Sequence, residues 1–82
     1  MSIYCITFRS VTLAQRGERV LRDNGMQCTL ARTPRWMEER GCGYCLRLRN
    51  EWRAAAAALD WAGVEYRKIY HQNGDTAEEV KL

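Results

Sequence analysis

Two thiols stand three positions apart in Arg40-Gly41-Cys42-Gly43-Tyr44-Cys45. Cys42 lies between glycines, so the backbone beside it is free to bend and its neighbours do not wall the thiol in. The reactive form of a thiol in exchange or sulfur transfer is the thiolate. Arg32, Arg35, Arg40 and Arg47 are near in sequence, and guanidinium groups turned inward would hold a thiolate at a lowered pKa. Cys45 follows at a distance from which it can attack a sulfur attached to Cys42, releasing that sulfur or closing a disulfide.

Four readings of this pair stay open on the residues alone. One is a sulfur or selenium carrier with Cys42 as the carrying thiol. Another is a dithiol redox protein, although a redox C-x-x-C usually opens a helix, and here Tyr44-Cys45-Leu46-Arg47-Leu48 reads as strand. A third is metal binding, for which a structural zinc site wants four ligands, and two thiols with the lone His71 fall short. The fourth is structural: small residues in a tight loop. No metal and no cofactor is expected. The chain shows no Ser-His-Asp or paired-carboxylate arrangement, and Gly41-x-Gly43 is too short for a nucleotide loop.

The elements that must position these thiols follow from periodicity. Ile3 to Phe8 is β-branched and aromatic, a strand. Ser10 is placed to cap a helix from Val11 to Asn24, which Gly25 stops. Met26 to Ala31 reads as a second strand, and Arg32 to Gly41, with the only Pro, as a loop. Tyr44 to Arg49 alternates as a half-buried strand. Asn50 is expected to cap a second helix through the alanine run to Leu59, with Gly63 as its stop. Val64 to Tyr70 is the expected fourth strand, and 71–82 a frayed polar tail.

The order β-α-β-β-α-β predicts one α+β domain over 1–70, a ferredoxin-like sandwich of a four-stranded antiparallel sheet with two helices on one face. Right-handed crossovers set the first and third strands side by side in its centre. Parity then turns Tyr4, Ile6, Phe8, Tyr44, Leu46 and Leu48 toward the helices. Ile3, Cys5, Thr7, Cys45 and Arg47 turn to the other face, which is expected to be open or a dimer interface. Cys5 and Cys45 become neighbours there.

Length and composition bound the rest. The chain has 82 residues and a net charge of +3, with 46% hydrophobic and 28% charged residues, a composition suited to one small soluble domain. Residues 1–70 carry a net +5, and 11 of the 13 basic residues are Arg, the side chain suited to carboxylate and phosphate. No apolar run approaches the roughly 20 residues a membrane helix needs. No secretory signal is visible at the start, so the four cysteines are read as thiols of a reducing, cytoplasmic compartment rather than as a disulfide framework. Nucleic-acid binding is not expected, because the face that RNA-binding ferredoxin-like domains line with aromatics has none on the first and third strands. Trp52 shares the apolar stripe of the second helix, whereas Trp61 sits off it and is a candidate contact residue; Trp36 and Met37 are apolar residues in the loop; His71 is expected at the surface.

Ile6-Thr7-Phe8-Arg9-Ser10, Thr33-Pro34-Arg35, Cys42-Gly43 followed by Leu46-Arg47, and the helix ending in Gly63-Val64 together resemble the selenium/sulfur carrier protein-like family of small bacterial and archaeal domains. The resemblance spans roughly residues 3–70. It implies a cytosolic carrier that holds a persulfide or selenide on the loop cysteine for a biosynthetic enzyme. Cys42 then matches the family cysteine, Gly43 its following Gly, and Pro34 and Arg35 the Pro-Arg pair. Two departures stand out: Arg40-Gly41 replace the serines usual before that cysteine, and Cys45 is an addition that would allow disulfide release. The sites expected are therefore Cys42 as nucleophile, Cys45 as resolving thiol, and Arg35, Arg40, Arg47 and Gly43 as the binding surround. The partners expected are a cysteine desulfurase-like sulfur or selenium donor, an acceptor enzyme and a possible second copy. The alternatives are a dithiol redox protein and a non-catalytic dimerising or regulatory module. A carrier requires an accessible, low-pKa Cys42. Alkylation at mildly acidic pH, followed by peptide mapping, is therefore expected to label Cys42 first; even labelling of all four thiols would point to a docking module.

Overall fold

A computed structural model describes residues 3–33, 43–49, 51–73 and 76–80. The elements are β1 (Ile3–Thr7), α1 (Val11–Asp23), β2 (Cys28–Arg32), β3 (Tyr44–Arg49), α2 (Trp52–Ala62), β4 (Ile69–Asn73) and β5 (Thr76–Glu79). All pairings in the sheet are antiparallel, in the order β2-β3-β1-β4-β5. The first four strands are arranged as in the ferredoxin-like sandwich, with β1 and β3 central. The expected four-stranded sheet is corrected to five: residues 76–79 of the supposed tail pair with β4, with Tyr70 opposite Glu79 and Gln72 opposite Ala77. The fourth strand also begins later than its β-rich sequence suggests. Val64 to Lys68 crosses back from α2 and joins the sheet through Thr7, whose N–H donates to Lys68 O and whose carbonyl accepts from Arg67 N–H, both at 2.8 Å.

Local chemistry explains the helix ends. Ser10 is extended, and its hydroxyl accepts from the Leu13 N–H, one of the orphan donors of a first helical turn. The α2 N-cap is Glu51, which has no side-chain cap bond and a left-handed φ of 56°. The expected cap, Asn50, lies outside the described residues. Gly63 closes α2 with φ 74°, a conformation that costs Gly little and other residues more.

One core fills the space between sheet and helices. Ile6, Phe8, Leu46 and Leu48 from the sheet meet Ala14, Leu21, Ala55 and Leu59 from the helices. The parity expected of β1 and β3 holds at every position assigned to the helix side, with Tyr4 and Tyr44 packed at the core edge. Trp52 packs there too, its ring centroid 6.2 Å from that of Tyr4. Trp61 is 94% exposed.

Gly17 lets α1 approach the sheet. A Cβ at this position would stand 2.9 Å from the tip of the Phe8 ring and 3.2 Å from a Leu46 methyl, and neither side chain has room to retreat inside a packed core. Gly17→Ala is therefore expected to lower unfolding free energy by about 1–3 kcal/mol through overpacking, against the roughly 1 kcal/mol that alanine gains in an exposed helix. Urea unfolding of the two chains measures the sign.

Candidate functional site

The face of the sheet away from the helices is built by the odd positions of β1 and β3. Cys5 lies opposite Arg47, and Thr7 opposite Cys45, so the two cysteines sit diagonally on adjacent strands with their side chains on the same side. They form a small buried cluster of their own, packed under Tyr70 of β4 and Ala77 of β5. Cys5 is 1% exposed and Cys45 0%. The expected open face is thus closed at this point, because residues beyond Ile69 pair into the sheet and lay Tyr70 and Ala77 over the thiols.

The two thiols are not equivalent. Hydrogen bonding with Cys45 is the largest influence on Cys5 and favours its thiolate; the Arg47 charge and a hydrogen bond from Arg47 add to it, and burial opposes it. Cys5 is brought down from the ordinary 9.0 to about 7. Cys45 is driven strongly upward by the same hydrogen bond, by burial and by the neighbouring Cys5 charge, with Thr33 and Arg47 pulling the other way. Of the two, Cys5 is the thiol that gives up its proton first, above about pH 7, while Cys45 keeps its own. The Cys5 S–H donates to Gln72 Oε1 at 3.5 Å, a bond that the protonated form makes and the thiolate gives up. Cys28 is a separate thiol, on the helix side of β2, 3.9 Å from the Glu18 carbonyl oxygen, and burial pushes it up.

Thr33 ties this cluster to the foot of the loop. Its N–H donates to Gly43 O at 2.8 Å, closing the chain between the end of β2 and the start of β3. Gly43 has a φ of 79°, so the chain enters β3 through a left-handed turn that favours glycine. Arg47 is exposed and reaches two places: it acts on Cys5, and with Arg22 and Arg49 it lines an open groove beside β2.

Of the residues singled out from sequence, the structure brings Cys45 and Arg47 together and places Gly43 two positions before Cys45, at the strand entry. Cys42, Arg35 and Arg40 lie outside the described residues, as do Pro34, Trp36 and Met37. His71 is half-buried inside β4, its ring stacked on Tyr4 with centroids 4.9 Å apart. Among the described residues, no group of three or more His, Cys, Asp or Glu could hold a metal ion, and no helix is long and apolar enough to cross a membrane.

Sequence reasoning placed Cys5 beside Cys45 but gave Cys5 no chemical role. The signal was the shared parity of two cysteines on strands that the topology makes adjacent. Ala77 had no such signal, because it acts through a contact that only the fifth strand creates; Thr33 and Tyr70 act through the β2–β3 connection and the β1–β4 pairing.

A family model described as "Putative Se/S carrier protein-like" matches residues 3–71, most of the chain. No curated protein and no solved structure matches.

The unequal thiols give stability a defined pH course. Between about 7 and 9.0 the unfolded chain holds a proton on Cys5 that the folded chain has released, so stability rises with pH. Above 9.0 the unfolded chain loses protons that folded Cys45 and Cys28 retain, so stability falls. Urea midpoints measured across this range are expected to climb and then decline, and the climb is expected to vanish in Cys5→Ser.

Proposed function

The chain belongs to the Se/S carrier protein-like family, and from that premise we propose that it carries sulfane sulfur or selenium on Cys42 and delivers it to a biosynthetic enzyme. In the loading step the Cys42 thiolate attacks the terminal sulfur of a donor persulfide. The new bond joins that sulfur to Cys42, the donor's own sulfur–sulfur bond breaks, and the donor thiolate leaves, with no net oxidation. A cysteine desulfurase-like protein is a donor of the right chemistry. In delivery the acceptor's nucleophile takes the outer sulfur, and Cys42 leaves as thiolate. For Cys45 to attack the inner sulfur instead, closing a Cys42–Cys45 disulfide with the outer sulfur leaving as hydrosulfide, it must first leave the buried pair it forms with Cys5.

The observation that supports this reading is the clamp at the loop's foot. Thr33 and Gly43 are hydrogen-bonded, so Cys42 is covalently one residue from a fixed point of the sheet. Gly43 takes a left-handed φ that glycine adopts at little cost. Arg35 and Arg40, near Cys42 in sequence, are the proposed source of a positive field favouring a thiolate or persulfide anion there, whereas Arg47, on the strand that follows, faces Cys5. Such a cycle needs reduced thiols and so belongs in a reducing compartment such as the cytoplasm.

The reduced protein, incubated with a cysteine desulfurase and cysteine, is expected to gain the mass of one sulfur atom. The gain persists in Cys45→Ala and disappears in Cys42→Ala. A gain that survives in Cys42→Ala would move the carrying thiol elsewhere, and no gain in the wild-type chain would contradict the carrier.

A further inference from the structure

We propose that Cys5 and Cys45 form a second, redox-active sulfur site, a dithiol that is oxidised to a disulfide by a small sulfane-sulfur species of the inorganic polysulfide class. The inference stands on the sheet rather than on the carrier reading. The two residues share one face of adjacent strands, two residues out of direct register, and are packed together in a cluster of their own. Diagonal neighbours in an antiparallel pair are about 7–8 Å apart at Cα, and less between side chains; a disulfide spans about 4.4–6.8 Å. The resting pair is therefore reduced, and closing the bond takes a local backbone adjustment at Cys5 and Cys45 along the strands. A disulfide reached in this way is readily reduced again.

Each thiol has the role its surroundings allow. Cys5 faces Arg47 across the strand pair, and the Cys45 hydrogen bond and that guanidinium favour the Cys5 thiolate over the Cys45 one, which makes Cys5 the attacking sulfur. Cys45 is the proton-bearing partner that completes the disulfide. Access comes from the sheet edge. The lid is Tyr70 with Ala77, and Ala77 belongs to a four-residue edge strand in which Thr76, Glu78 and Glu79 are exposed. Short edge strands open at low free-energy cost relative to global unfolding, enough to admit a small inorganic anion while larger disulfides stay outside.

The chemistry balances without any other reagent. The Cys5 thiolate attacks a polysulfide sulfur, one sulfur–sulfur bond of the polysulfide breaks, and the shortened polysulfide leaves after taking one proton from solvent. Cys5 is then a persulfide. Cys45 attacks the Cys5 sulfur, the persulfide bond breaks, and the outer sulfur departs as hydrosulfide with the Cys45 proton. The two thiols lose two electrons, and the sulfane sulfur gains them.

The test uses the full chain carrying Cys42→Ala, with sodium tetrasulfide as the oxidant. This chain is expected to lose the mass of two hydrogens, and peptide mapping is expected to find Cys5 joined to Cys45, a link that glutathione reverses. An unchanged mass, a retained sulfur adduct, or a link to Cys28 would overturn the proposal. Mapping the wild-type chain in parallel covers the case in which Cys42→Ala does not fold. A Cys5–Cys45 link in the wild-type chain again supports the site, and linkage confined to Cys42 overturns it. Because one arm lacks Cys42, failure of the carrier reading leaves this result unaffected.

Discussion

The pairing of β1 with β3 is the constraint on which the rest of this small protein depends. One register, with Ile6 opposite Leu46 and Cys5 opposite Arg47, decides two things at once. It sends Ile6, Phe8, Leu46 and Leu48 into the space that α1 and α2 cover. It also sends Cys5, Cys45 and Arg47 to the other side. A slip of one residue would exchange the two sets, placing a guanidinium in the apolar core and leucines on the far face. The apolar core thus holds the thiols in position, since the same alternation that buries leucine aligns sulfur with sulfur. An 82-residue chain has little apolar surface to spare, so this double use of the central strands is economical.

On the thiol side the governing effect is electrostatic. Two buried sulfurs in contact cannot both be charged cheaply, and neither can be left without a hydrogen-bonding partner without cost. Above about pH 7 the pair holds a single proton, which resolves both problems, and Arg47 biases where the charge sits. The result is a pair of thiols with opposite tendencies, one poised to attack and one held protonated. Their location matters as much as their chemistry. Thr33 hydrogen-bonds Cys45 and its N–H donates to Gly43 O, so the buried pair is tied to the entry of β3.

Much of this was legible in the sequence, for physical reasons that differ by element. Strands β1 and β3 alternate strictly, so their faces could be read residue by residue. Helix α1 carries its own start in Ser10 and its own stop at Asn24-Gly25. The C-terminal strand was not legible, because Thr76-Ala77-Glu78-Glu79 lacks apolar alternation and has one β-branched residue, Thr76, beside strand-poor Ala and Glu. It is a strand because β4 offers an unpaired edge and Tyr70 and the buried cysteines offer Ala77 a place to pack. The start of β4 was misplaced for the complementary reason. Val64 to Lys68 looks like a strand by composition, but the path back from α2 allows it to join the sheet only at its end. At the site, proximity of Cys5 and Cys45 followed from parity. The asymmetry between them did not, since it arises from Arg47, burial and the β4–β5 hairpin acting together.

The central claim is that Cys5 gives up its proton above about pH 7 while Cys45 keeps its own. Carbon-13 labelling of the cysteine Cβ atoms and an NMR titration of the reduced chain test it most directly, because each Cβ shift follows the ionisation of its own sulfur. The account predicts that the Cys5 resonance moves with a midpoint near 7 while the Cys45 resonance stays in its protonated position well above 9.0. Midpoints for both residues close to 9.0, independent of each other and unmoved in Arg47→Gln, would contradict it.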